Sequence, residues 1–165
     1  MRYAGVIKND VSAGSGVCVS FFVQGCPIRC PGCHNPESWD FNGGKEFTPE
    51  VIQEVLTALS ANGVKRNFCV MGGEPLCQEN AFLTTLMVQT VRDKFPDIKI
   101  YIWTGYTWDE VKRNMNNPKY KQICDLADYL VAGPYIAEER DITLPMRGSR
   151  NQEIINLREV ELTHD

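Results

Sequence analysis

Short, continuous apolar runs alternate along this chain with segments whose apolar residues fall on one stripe. Four runs rich in β-branched and aromatic residues read as strands, at 17–23, 67–71, 98–103 and 129–132. Most of these runs lack a regular polar alternation, which is typical of strands buried on both faces of a parallel sheet. Shorter apolar pieces lie near the two ends of the chain, at 4–7 and 154–157.

The segments between the strands carry helix signals. Predicted helices begin at Pro49, Ala81, Thr107 and Tyr120 and end near residues 62, 94, 116 and 126. Thr107 with Glu110 three residues later forms a capping box. Alternating strands and helices favour a right-handed parallel βα architecture. Because a closed eightfold barrel needs about 200 residues or more, we predict an α/β fold with a mainly parallel sheet, an open partial (βα) barrel, in one domain spanning 1–165.

Composition narrows the classes of partner. The chain has 165 residues and a formal net charge of -4, which argues against a broad basic face for nucleic acid or an anionic membrane. No stretch approaches the roughly 18 apolar residues of a membrane span, and the first 11 residues do not read as a signal peptide. We therefore expect a cytoplasmic protein, and in that reducing compartment its seven cysteines favour metal chemistry over disulfides.

Three of the cysteines stand on one short loop. Cys26, Cys30 and Cys33 follow the first confident strand with the spacing C-x3-C-x2-C. Three thiolates are one fewer than the four that close a structural zinc site or saturate an iron–sulfur cluster. A zinc-binding interaction module would need a fourth ligand, and His34 directly abuts Cys33 while the other cysteines are scattered. A [4Fe-4S] cluster with one open iron needs only three, so both interpretations stay open on spacing alone.

A second motif adds to the cysteine loop. Gly-Gly-Glu-Pro at 72–75 follows the second confident strand, and together the two motifs resemble the radical S-adenosylmethionine (radical SAM) superfamily. Further segments resemble the activating proteins of anaerobic ribonucleotide reductase, namely 25–27, 33–35, 103–106, 133–135, 147–149 and 151–152. The chain departs from that family in one segment and at one position. The segment 12–18 lacks the proline and arginine that the family usually has there, and Ala132 stands where aspartate is common.

The resemblance implies a complete activity. Cys26, Cys30 and Cys33 would hold a [4Fe-4S] cluster whose free iron binds S-adenosylmethionine (SAM). Reductive cleavage of SAM would give a 5'-deoxyadenosyl radical, which installs a glycyl radical on the large subunit of anaerobic ribonucleotide reductase. The electron would come from a low-potential donor such as flavodoxin, and we also consider a homodimer. An activase of another glycyl-radical enzyme, of the formate-lyase type, is the alternative within the same class.

The resemblance also assigns cofactor-binding roles. The residues concerned are Gly72, Gly73, Glu74, Pro75, His34, Thr104 and Gly105. Paired glycines let the backbone approach a ligand, and the carboxylate of Glu74 suits the methionyl ammonium group of SAM. Thr104 and Gly105 would touch the ribose or the methionyl part, and His34 would pack on the adenine. Taken singly, each feature also fits an ordinary turn, a core position or a surface histidine.

Overall fold

A computed structural model of the chain describes residues 1–160. Within that range seven strands form one sheet: β1 (Arg2–Asp10), β2 (Cys18–Val23), β3 (Lys45–Glu46), β4 (Asn67–Gly72), β5 (Ile100–Thr104), β6 (Tyr129–Ala132) and β7 (Glu153–Asn156). The four α-helices of the same range are α1 (Pro49–Leu59), α2 (Ala81–Lys94), α3 (Trp108–Arg113) and α4 (Pro118–Leu126). The last residues of the predicted single domain, 161–165, lie outside the described residues. None of the helices described here is long and apolar enough to cross a membrane.

The sheet is mixed and open, with the strand order β3-β1-β2-β4-β5-β6-β7 across residues 1–160. Its centre is parallel, since β2, β4, β5 and β6 pair in one direction. The remaining pairings, β1 with β2, β1 with β3 and β6 with β7, are antiparallel. The prediction of a mainly parallel sheet is therefore wrong at the edges. The connection between β1 and β2 is too short for the crossover that parallel strands require.

Local signals in the sequence placed most helices correctly. The α2 helix has the predicted bounds, and the capping box is confirmed because Glu110 N donates to Thr107 Oγ1 at 3.2 Å. The α4 helix begins earlier than predicted, since Pro118 opens it and the Asn117 side chain accepts from Lys119 N at 3.0 Å. The first strand is also longer than the apolar piece at 4–7, because pairing with β2 extends it over polar positions.

The two faces of the sheet differ. One face carries the main core, in which Val19, Phe68 and Ile102 pack against apolar residues of all four described helices. The opposite face carries a second cluster of Ala13, Cys18, Cys69 and Tyr101, covered partly by the segment after β1. Further along this second face, towards the carboxyl ends of β2, β4 and β5, Phe22, Met71 and Trp103 are only half-buried. The loops that carry the predicted site begin at these strand ends.

Candidate functional site

The cysteine loop leaves the carboxyl end of β2 through a fixed turn. Gly25 adopts a φ of 104°, and a side chain there would overlap the ring of Phe41. The Gly25 N–H donates to Ser38 O at 2.6 Å and the Cys26 N–H donates to Trp39 O at 3.2 Å, which ties both ends of the loop region together. These bonds hold the first cysteine in place before the rest of the loop begins.

The three cysteines line one cavity of about 280 Å³ together with the ends of β4 and β5. Of the other residues predicted from the sequence, the cavity includes His34, Gly72, Gly73, Glu74, Thr104 and Gly105. Pro75 does not line it: this residue is buried, and its carbonyl accepts from Thr84 Oγ1 at 2.7 Å. Two loops far apart in sequence thus share one cavity, as the carboxyl ends of neighbouring parallel strands require.

Backbone N–H groups point at the sulfur atoms. Burial raises the pKa of Cys26, and the N–H groups of Arg29 and Ile28 oppose this rise. Arg29 has a φ of 53°, a left-handed conformation that is uncommon for arginine, and the turn it forms brings these donors to the sulfur. The third sulfur, that of Cys33, accepts from the N–H of Asn35 at 3.4 Å. Such N–H donors stabilise thiolates and cluster sulfur ligands.

The carboxylate of Glu74 is buried and joins the ends of β4 and β5. Its Oε2 accepts from Leu76 N at 2.8 Å and Thr104 Oγ1 at 2.7 Å, while its Oε1 accepts from Gly105 N at 2.6 Å. Burial raises the pKa of Glu74 to about 7 despite these three donors. The hydroxyl of Thr104 is therefore committed to Glu74 and to the N–H of Tyr106, which donates to it at 3.2 Å.

One buried side chain that sequence reasoning missed connects the two motifs. Asn80, just before α2, donates through Nδ2 to Gly25 O and to Glu74 O, both at 3.0 Å. Gly25 O also accepts from Glu74 N at 2.8 Å, and Gly73 has no room for a side chain because this carbonyl faces it. The backbone before Cys26 and the Gly-Gly-Glu-Pro segment are thus held against each other. An asparagine at a helix start is an ordinary capping signal, so nothing local indicated this role.

His34 contacts a residue from a third loop. Its ring lies 5.0 Å from that of Tyr135, centroid to centroid, at a tilt of 51°. Several other cavity residues had no site role assigned from the sequence: Phe22, Ile28, Asn35, Met71, Trp103, Gly133, Gly148 and Gln152. Five of them, Asn35, Trp103, Gly133, Gly148 and Gln152, lie in the segments that resemble the family. Trp103 donates through Nε1 to Met146 O at 2.8 Å, so the segment after β6 lies beside this part of the cavity.

The donor set fits an iron–sulfur cluster in ligand type, because three thiols face one shared cavity. Among residues 1–160, no three histidine, cysteine or acidic side chains converge on the position of a single metal ion, but the thiolates of a [4Fe-4S] cluster each bind a different iron and need no such convergence. Within the same range, two buried side-chain polar atoms lack a hydrogen-bond partner, Arg147 Nε and Asn151 Oδ1. Both belong to the loop that contributes Gly148 and Gln152 to the cavity wall.

Comparison with known proteins places the chain in a family. A family model described as "4Fe-4S single cluster domain" matches residues 12–155. An anaerobic ribonucleoside-triphosphate reductase-activating protein from Escherichia coli (strain K12) is 34% identical over 159 residues, covering 96% of this chain and 100% of the relative. The chain belongs to the family of anaerobic ribonucleoside-triphosphate reductase-activating proteins. Relatives of the same name come from Haemophilus influenzae, 34% identical over 92% of this chain and 96% of theirs, and from Enterobacteria phage T4, 30% identical over 93% of each.

Proposed function

We propose that the chain is an activase that uses a [4Fe-4S] cluster and SAM to install a glycyl radical on anaerobic ribonucleoside-triphosphate reductase. The observation that carries this proposal is the shared cavity, in which Cys26, Cys30 and Cys33 face Gly72, Gly73 and Glu74. The names of the relatives supply the protein substrate. We further propose that the open sheet is a partial barrel of the radical SAM type and that the enzyme acts in the cytoplasm with a flavodoxin-like electron donor. A homodimer is a candidate assembly, which sedimentation of the purified chain would test.

In this proposal the chain's own residues bind the cluster, orient SAM and keep water out of the cavity. The three thiolates hold the cluster, and the N–H groups directed at their sulfurs adjust how readily it accepts an electron. Once bound by these residues, the cluster and SAM would supply one-electron reductive cleavage of SAM to methionine and, from its 5'-deoxyadenosyl part, removal of a hydrogen atom from a glycine Cα of the reductase. Half-buried apolar side chains such as Phe22, Met71 and Trp103 keep water from the cavity, which protects a reactive intermediate from side reactions.

Glu74 retains one free acceptor position for a ligand. A carboxylate offers about four lone-pair sites, and the protein fills three of them with the donors from Leu76, Thr104 and Gly105. We assign the remaining site, with the neighbouring backbone of Gly72 and Gly73, to the methionyl ammonium group of SAM. Gly105 and Thr104 then position Glu74 and the ribose side of the ligand, and His34 with its ring exposed to the cavity packs on the adenine.

Anaerobic reconstitution with iron and sulfide tests the proposal. We expect about four irons per chain, as the cluster type requires, and a change in the EPR signal of the reduced cluster when SAM is added. Incubation with an anaerobic ribonucleotide reductase should then give a glycyl-radical EPR signal. Tight zinc binding with no response to SAM would instead support a zinc-binding interaction module. Activation of a formate-lyase type enzyme, and not of the reductase, would assign the chain to that alternative.

Cysteine variants test the ligand assignment. Cys26→Ala, Cys30→Ala and Cys33→Ala should each abolish SAM cleavage, because each removes one of three cluster ligands. Cys124→Ala is the matched control, since Cys124 is buried on α4 in the main core and does not line the cavity. SAM cleavage at the wild-type rate in any one of the first three variants would show that its cysteine is not a ligand.

A further inference from the structure

The motifs Gly-Pro-Tyr at 133–135 and Arg-Gly-Ser-Arg-Asn-Gln at 147–152 have no role in the function proposed so far. They are the two ends of the connection between β6 and β7, and we call the whole stretch 133–152 the cover loop. Although the loop contains no α-helix, backbone hydrogen bonds cross it: Asp141 N donates to Gly148 O at 3.2 Å and Arg150 N to Glu139 O at 2.9 Å. The loop is therefore folded on itself.

Gln152 fastens the two ends of the cover loop together. Its Oε1 accepts from Gly148 N at 2.9 Å and Ser149 N at 3.1 Å, while its Nε2 donates to Gly133 O at 3.0 Å. Asn151 adds a bond from Nδ2 to Pro134 O at 2.7 Å. The oxygen and the nitrogen of the Gln152 amide thus both bond within the loop, and these bonds fix the turn immediately before Tyr135.

Tyr135 reaches from this turn onto the cysteine loop. Its Cε2 lies so near Gly32 that a methyl group on Gly32 would stand 3.5 Å away, and on its other side Cδ1 would lie 3.2 Å from a methyl group on Gly148. The ring also contacts His34. Tyr135 also lines the same cavity as Cys30, which stands two residues before Gly32. A residue about a hundred positions further along the chain thus packs against the cysteine loop just after its second cysteine.

We propose that the cover loop is a built part of the cysteine site, in which the Tyr135 ring shields Cys30 from solvent and Gln152 is the positioning residue that holds Tyr135 there. The inference rests on the proposed function only where it concerns a bound cluster. The shielding of Cys30 by Tyr135, and the positioning of Tyr135 by Gln152, apply equally to the chain without a cluster. The two parts are therefore measured separately.

The first measurement is alkylation of thiols in the cluster-free chain under anaerobic conditions, with each cysteine quantified by mass spectrometry. Tyr135→Ala should raise the labelling rate of Cys30 relative to Cys26 about tenfold, equivalent to about 1.4 kcal/mol of lost packing. Cys26 is the internal reference because it lies at the start of the cysteine loop, where its N–H donates to Trp39 O, whereas Tyr135 packs at the other end of the loop, by Gly32 and His34. Tyr135→Phe should leave the ratio unchanged, as should Tyr120→Ala, a half-buried tyrosine of α4 packed against the main core.

Gln152→Ala should raise the Cys30 to Cys26 ratio in the same direction, and Gln152→Glu should restore it in part because the carboxylate still accepts from Gly148 and Ser149. In the double variant with Tyr135→Ala, removal of Gln152 should add nothing further, since it acts through Tyr135. An unchanged ratio in Tyr135→Ala would overturn the inference. An additive effect in the double variant would overturn the positioning role of Gln152.

The second measurement uses the reconstituted chain. Tyr135→Ala should release iron to a chelator about tenfold faster than the wild type, by the same opening of the cover, and should shift the cluster's reduction potential, whereas Tyr135→Phe should do neither. Wild-type release rate and potential in Tyr135→Ala would contradict shielding of a bound cluster. If the wild-type chain takes up no cluster at all, the proposed function fails, while the thiol measurement still decides the geometric inference by itself.

Discussion

Replacing Glu74 by glutamine tests how the end of β4 is joined to the end of β5. The substitution keeps the size of the side chain and removes its charge. Three donors converge on the wild-type carboxylate, from Leu76, Thr104 and Gly105. Glutamine can accept with one oxygen only, so its amide group must face one of these donors. A buried donor left unsatisfied costs about 1–3 kcal/mol, and this cost does not depend on pH.

The difference in unfolding free energy between the two proteins also depends on pH, because Glu74 titrates in the wild type. Burial raises the pKa of Glu74 from its ordinary value of 4.5 to about 7, which at about 1.36 kcal/mol per pKa unit corresponds to about 3 kcal/mol. The folded chain therefore binds this proton more tightly than the unfolded chain. Its stabilising contribution is complete below about pH 4.5 and is lost as the pH rises through about 7. Glutamine does not titrate, so the stability of the variant should not fall over this pH range.

Urea unfolding of the reduced, cluster-free chain between pH 4.5 and 8, followed by circular dichroism, measures the effect. We expect Glu74→Gln to be less stable than the wild type at pH 4.5, and the difference to shrink by about 3 kcal/mol by pH 8. Glu54→Gln is the matched control. Glu54 is partly exposed in a 3.8 Å ion pair with Lys8, and such pairs contribute little. A difference between Glu74→Gln and wild type that stays constant over the whole range would refute the reasoning.

Two further predictions concern buried polar side chains. Asp128→Asn should lower the unfolding free energy by about 3 kcal/mol in the same urea assay, because Asp128 accepts from Arg92 Nη2 at 2.7 Å and Arg158 Nε at 2.8 Å. Burial alone would raise the pKa of Asp128, but these bonds lower it, so the wild type should lose this stability as the pH falls below 3.8 while the variant should not. Asn80→Asp, which turns a carboxylate towards Gly25 O and Glu74 O, should weaken SAM binding to the reconstituted chain by calorimetry more than Asn80→Ala does; equal affinity of wild type and both variants would contradict the bridging role.

Periodicity and capping residues predicted the central strands, the helices and the edge of the sheet where the site lies. Each of these features is encoded within about 15 consecutive residues, and the capping box at Thr107 is an example. The antiparallel edges were not predictable in the same way. β3 has only the two residues Lys45–Glu46, and β7 pairs with β6 across the long cover loop, whose ends are joined by the hydrogen bond from Gln152 to Gly133. Neither fact leaves a periodic pattern in the sequence.

Which residues share the cavity was largely predictable from the sequence, but the hydrogen bonds between them were not. The residues expected from the sequence, Pro75 apart, do line one cavity, since strand ends meet wherever parallel strands are adjacent. Which atom bonds to which depends on contacts between segments far apart in sequence. Asn80 bonds to a carbonyl 55 positions away and Thr104 to a carboxylate 30 positions away. A residue type at one position does not specify a partner at such separations.

Hydrogen bonds and one packing contact join the four loops that line the candidate site. Asn80 joins the loop after β2 to the loop after β4, and Glu74 joins the latter to the loop after β5. The end of β6 follows, since Gly133 N donates to Thr104 O at 3.1 Å, and Tyr135 returns from there to the cysteine loop. The connections thus form a closed ring around the cavity. Because each loop is held from both sides, a substitution in one link displaces groups at its neighbours, and the effects of Asn80 and Glu74 variants should not be additive.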